Sequence, residues 1–121
     1  MTKNRNSKPY DLEDRTFEFS KRIRAFVKNL PKTISNVEDI KQLIKASGSV
    51  GANYIEANEA LSKKDFTMRI KISRKEAKES RYWLRLIDTV NQMEQEKERQ
   101  ELINEATELM NIFGAILQKT K

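Results

Sequence analysis

Residues 66–87 carry a pattern that repeats at spacings of four and three. Phe66, Ile70, Ser73, Ala77, Ser80, Leu84 and Ile87 fall on one stripe of a helix. Met68, Ile72, Trp83, Leu86 and Val90 fall on a second stripe, offset by more than a quarter turn. Lys64, Lys71, Lys75, Lys78 and Arg85 project elsewhere, with Tyr82 among them. One apolar stripe needs one core. A second stripe needs something further to cover it, most simply another subunit. Met68, Ile72, Trp83, Leu86 and Val90 are therefore expected at an oligomer contact, with Trp83 as its anchor.

The same reading predicts three more helices. Asp11 is a candidate N-cap, followed by acids at Glu13, Asp14 and Glu18. Phe17, Ile23, Phe26, Val27 and Leu30 give a stripe, and Pro31 stops it, so the first helix is expected over about 12–29. Ser35-Asn36-Val37-Glu38 reads as a capping box. The second helix then presents Val37, Ile40, Leu43, Ile44, Ser47, Gly51, Tyr54, Ile55 and Asn58. Its middle is small: Ala46, Ser47, Gly48, Ser49, Gly51 and Ala52. Two glycines inside a helix cost on the order of 2 kcal/mol. The stripe keeps its phase across them, which favours a continuous helix over a break at 48–51. Gly48, Gly51 and Ala52 are then expected to admit a close neighbour, and Asn53 and Glu56 to hold helix register by hydrogen bonds. Ser62-Lys63-Lys64-Asp65 is a second capping signal, opening a third helix that runs to about Val90. Residues 91–101 are strongly polar, either a helical extension or a connection. Leu102, Ala106, Leu109, Phe113 and Ile116, flanked by Ile103, Met110 and Leu117, mark the fourth helix.

Four amphipathic helices with short connections predict an all-α, antiparallel, up-down-up-down bundle over residues 11–121, behind a flexible basic tail at 1–10. The 121 residues suffice for one domain, and with three Gly and two Pro the composition favours long helices. The tail lacks the apolar segment of a secretory signal, and no apolar run reaches the roughly 18 residues of a membrane span. A cytoplasmic protein with no membrane partner is the default expectation.

Charge sharpens the picture. The net charge is +6, and residues 60–90 hold nine basic and four acidic side chains, so this stretch carries +5 of it. A localised basic face points to an anionic partner such as RNA or DNA. Lys64, Lys71, Lys75, Lys78 and Arg85 are the candidate contacts; a face kept polar for solubility is the competing explanation. Tyr82 either stacks on a base or, as is commoner, lies over the aliphatic stems of its neighbours.

Catalytic chemistry is nearly missing. The chain has no Cys and no His, which removes thiol chemistry, the commonest general base and the commonest metal ligand. Gly48-Ser49-Val50-Gly51 lacks the spacing and the lysine of a phosphate-binding loop. Glu76 and Glu79 stand three apart beside Trp83, but two-metal bundles pair such acids with histidine. Ion pairing with Lys or Arg, locally or across an interface, is the better reading. No catalytic, cofactor-binding or metal-binding residue is assigned, and the expectation is a protein that is not an enzyme.

Three segments in order carry a resemblance: 47–57 (SGSVGANYIEA), 62–66 (SKKDF) and 75–86 (KEAKESRYWLRL). With them the chain resembles the bacterial four-helix-bundle proteins related to the 23S rRNA intervening-sequence protein, over about residues 10–117. Many members carry Gly where this chain has Ala57, so it looks closer to the branch with the Tyr82-Trp83-Leu84 segment. The resemblance implies an antiparallel bundle assembling as a homopentameric ring, with no established catalytic residues. Related bundles accompany diversity-generating reverse transcriptases and bind that enzyme and nucleic acid through a basic surface. Two functions follow as expectations. One is an oligomeric module that binds nucleic acid through the third helix with little sequence specificity. The other is an oligomeric scaffold for a protein partner, such as a reverse transcriptase, whose charge is incidental.

Overall fold

The computed structural model describes residues 11–121, so the expected basic tail at 1–10 lies outside the described residues. Four helices follow in order: α1 (Leu12–Val27), α2 (Ile34–Asn58), α3 (Lys63–Leu86) and α4 (Met93–Lys119). Each packs on its neighbours in sequence and α1 closes against α4; across the diagonal, the rings of Tyr54 on α2 and Phe113 on α4 meet with centroids 5.9 Å apart. Partners across each seam run in opposite order along the chain, so the bundle is antiparallel, up-down-up-down.

The helix ends follow local chemistry. Ser62 accepts a hydrogen bond from the Asp65 amide at 3.0 Å, as its sequence signal predicts. α2 starts two residues earlier than the Ser35 signal implies: Thr33 is the N-cap and accepts from the Asn36 amide at 3.1 Å. Asn36 is therefore not surface capping sequence but fully buried. Its Nδ2 donates to the Pro31 and Asp88 carbonyls at 3.0 and 2.8 Å, and its Oδ1 accepts from the Asp88 amide at 3.0 Å. One side chain thus ties the α1–α2 and α3–α4 connections together, satisfying groups whose burial unpaired is costly.

α3 ends at Leu86, short of the expected Val90. Arg99 of α4 donates to the Leu84 and Arg85 carbonyls, both at 3.2 Å, and Asn36 holds Asp88. The chain turns inward at Ile87, which is buried. Val90 and Asn91 follow with φ of 46° and 63°. Asn tolerates this left-handed region; a β-branched valine there is strained. The polar segment after residue 91 is mostly helical, since α4 begins at Met93.

The core draws bulk from all four helices: Phe19, Ile23 and Phe26 of α1, Leu43 of α2, Ile70 and Leu84 of α3, and Leu102, Leu109 and Phe113 of α4. α2 and α3 face each other with Ala46, Ser47, Val50 and Ala57 against Ser73, Ala77 and Ser80. Small residues let these two backbones approach, and the Ser73 hydroxyl donates straight across to the Val50 carbonyl at 2.9 Å.

α2 is continuous through its glycines. Of the small patch, Gly51 is the tight position: a Cβ there would lie 2.9 Å from Thr16 Oγ1 and 3.2 Å from Thr16 Cβ. At Gly48 the nearest side-chain atom, Arg24 Nη2, would be an ordinary 3.6 Å away. Ala52 is exposed, so it takes no part in helix packing. Thr16 is buried and its hydroxyl donates to the Leu12 carbonyl at 2.7 Å, which leaves it no room to yield. Gly51→Leu should therefore cost about 1–3 kcal/mol by overpacking, read as a lower urea midpoint with an unchanged slope. A variant as stable as its parent would show that α1 and α2 are not in close contact there.

Candidate nucleic-acid interface

Burying Ile70, Ser73, Ala77, Ser80 and Leu84 fixes the rotation of α3. At about 100° per residue, Lys64, Lys71, Lys75, Lys78 and Arg85 then fall within about a third of the circumference, opposite the core. All five are exposed. Lys64, Lys71, Lys78 and Arg85 make no ion pair with another described residue, and Lys75 reaches Glu76 only at 3.9 Å. From Lys64 to Arg85 the row spans roughly 32 Å at 1.5 Å per residue.

Two other basic residues of α3, Arg69 and Arg81, are tied into the bundle, while Lys63 at its start is exposed. Arg69 donates to Asn53 Oδ1 on α2 at 2.9 Å, and Arg81 to Thr107 Oγ1 on α4 at 3.3 Å. Arg74 is exposed and lies over Gly114 of α4, beside Arg85 on the helix surface, so it extends the basic face. Arg74 lies outside the five expected contacts, although its helical angle is one small step from that of Arg85.

Acidic residues are drawn off elsewhere. Arg15 of α1 bonds Glu105 and Glu108 of α4, both at 2.7 Å, and Arg22 reaches Glu98 at 3.3 Å and Glu101 at 3.4 Å. The hydrogen bonds that Arg15 donates to the Glu105 carboxylate are the largest cause holding the Arg15 proton still more tightly than usual. On the side of α4 that meets α3, Glu96 is engaged by Arg99 and Thr89, which lower its pKa. The basic face thus looks outward, with the exposed Glu79 one turn from Lys75 at its α2 edge.

The second stripe runs along the α2 side of that face. Ile72 and Trp83 are half-buried, while Met68 and Leu86 are 46% and 49% exposed. No single core covers them all. Val90 does not join them, because the helix has ended and the chain has turned. Trp83 packs against the core and meets Tyr82 edge-on, with ring centroids 5.0 Å apart and planes at 80°.

Between α2 and α3 lies a polar cleft of about 260 Å³, lined by Gln42, Lys45, Ala46, Ser49, Glu76 and Glu79. Partial burial, then the neighbouring Glu79 charge, raise the Glu76 pKa, against the pull of Lys75 and Lys45. Among the described residues, no three groups of metal-binding type gather to hold an ion. Further along the same seam, Asn53 donates to Ser49 and accepts from Arg69, linking α2 to α3. Glu56, expected to share that role, is exposed and its carboxylate has no hydrogen-bond partner among the described residues. No described helix is long and apolar enough to cross a membrane.

Comparison with known proteins gives a consistent result. Residues 9–115 match the family model described as 23S rRNA-intervening sequence protein. Among solved structures, the chain is similar to a protein with unknown function from the S23 ribosomal protein family of Bacteroides thetaiotaomicron VPI-5482. The two share 28% identity over 87% of this chain and 96% of that one, with a TM-score of 0.72. No curated protein matches the chain.

The raised Glu76 pKa carries a testable consequence. Folding penalises the charged carboxylate, so the penalty is present above the folded pKa and is gone below the unfolded value of about 4.3. Glu76→Gln should raise Tm at pH 7, and the gain should vanish as pH falls below about 4. Thermal melts across pH check it; a variant less stable than its parent at pH 7 would contradict it.

Proposed function

The chain belongs to the family of 23S rRNA-intervening sequence proteins, and on that footing we propose that it is a non-enzymatic, oligomeric module that binds nucleic acid through the outer face of α3. The observation that carries this reading is the exposed row of Lys64, Lys71, Lys75, Lys78 and Arg85 on one helix, of which Lys75 alone pairs with a described acid, Glu76 at 3.9 Å, with Glu98, Glu101, Glu105 and Glu108 of α4 engaged by α1. Such a row meets a phosphate backbone by charge. Phosphate contacts carry no direct sequence information, so the preference for any one sequence is slight.

In the same reading Met68, Ile72, Trp83 and Leu86 cover one another's exposure across a subunit contact, with Trp83 at its centre. The closed assembly is a pentameric ring, and its symmetry repeats the basic row as a belt of positive potential.

Nucleic-acid binding to the purified protein, measured over a range of salt, tests the proposal. Affinity should fall steeply with salt; about five contacts to duplex DNA give a log–log slope near −4.5. The combined variant Lys71→Glu, Lys75→Glu and Lys78→Glu should abolish binding and keep the parent's helicity and mass. Light scattering should return five times the 14.2 kDa protomer mass. A parent that binds neither RNA nor DNA at low salt, or a triple variant that binds equally well, rejects the nucleic-acid face; a monomeric mass rejects the ring, and a dimeric mass rejects the pentamer.

A further inference from the structure

Tyr82 stands near the C-terminal end of the basic row, at the helical angle of Lys64 and between those of Lys71 and Lys75. Lys78 is one turn before it and Arg85 just under one turn after, about 6 and 4.5 Å along the axis. A tyrosine that merely covered its own helix would be largely buried, but Tyr82 is 55% exposed and its hydroxyl has no partner among the described residues. Nor is the ring loose. It rests against Trp83 at 5.0 Å with the planes at 80°, and Trp83 is itself packed on the core. Whichever ring offers its edge, at least one flat face of Tyr82 stays uncovered by Trp83.

We propose that Tyr82 is a stacking platform that makes this face selective for single-stranded nucleic acid; the proposal rests on the nucleic-acid reading above. Lys78 on one side and Arg85 on the other neutralise successive phosphates of one strand. A flat aromatic between them takes the face of an unpaired base, which every base possesses, so the contact favours single strands without choosing a sequence. In a duplex the base faces are already stacked on one another and the ring finds none to take. Because the ring already rests against Trp83, part of its side-chain freedom is spent before binding.

The test uses the full chain with a ten-residue oligothymidylate, the matching oligouridylate and a duplex of the same length, each fluorescently labelled. Tyr82→Leu keeps apolar bulk and removes the π-face. It should weaken binding to the single strands by about 5- to 150-fold, leave duplex binding unchanged and leave the salt slope unchanged, since no phosphate contact is removed. Tyr82→Phe should bind as the parent does. A second measurement needs no variant: photocrosslinking the parent to a single strand carrying 5-bromouracil should mark Tyr82 on mass spectrometry. Equal losses for single strands and duplex in Tyr82→Leu, no loss at all, or crosslinks that avoid Tyr82 would overturn the stacking role and leave the basic face standing. A parent that binds no probe overturns both.

Discussion

The close seam between α2 and α3 is the constraint from which the rest of this molecule follows. Ala46, Ser47, Val50 and Ala57 meet Ser73, Ala77 and Ser80, and the Ser73 hydroxyl spends its hydrogen bond on the Val50 carbonyl. Small residues cannot fill a wide gap, so the two backbones must come together for the core to close. Once they do, α3 has no rotational freedom. Its remaining circumference is divided by geometry: lysines point away from the core, and Met68, Ile72, Trp83 and Leu86 lie along the flank. A slip of one residue would carry lysines toward the core and apolar side chains into water. Arg69 on Asn53 and Asn36 on Asp88 hold the register at two further points along the seam.

Electrostatics then follow from which helix faces which. The glutamates of α4 meet the arginines of α1, and Arg99 gathers Glu96 while closing the carbonyl end of α3. These pairings are half-exposed and contribute modestly to stability. Their larger consequence is spatial, because they hold Glu98, Glu101, Glu105 and Glu108 on the α1 side of α4. A chain of net charge +6 thereby concentrates its field on one rod-like surface.

The four helices and their antiparallel order were legible because long stripes with strong periodicity dominate this chain. The third helix was the clearest, since its buried set and its Ser62 cap both carry unambiguous local signals. Elsewhere local signals competed. Ser35 and Glu38 spell a capping box, yet Thr33 caps the helix because Asn36 is needed inside, on a partner 52 residues away. Val90 continues the periodicity of the second stripe, but Arg99 and Asn36 end the helix before it. In α2 the expected stripe holds at Leu43, Ser47 and Gly51, the tightest position, while Ile55 on that stripe is exposed and Ala46, Val50 and Ala57 beside it are buried. Small side chains give a weak signal in sequence and a strong one in packing. The basic face was legible in outline; Arg74 joins it, and Arg69 and Arg81 leave it, only once the neighbouring helices are in place.

The central claim is that nucleic acid meets the protein on the outer face of α3, and lysine footprinting addresses it most directly. Brief acetylation of the native protein, with and without a saturating single-stranded oligonucleotide, can be read lysine by lysine by mass spectrometry. The account predicts protection of Lys64, Lys71, Lys75 and Lys78, while Lys21, Lys41 and Lys119, exposed on the other three helices, react as before. Protection centred on α1, α2 or α4, with the α3 lysines as reactive as in the free protein, would contradict it.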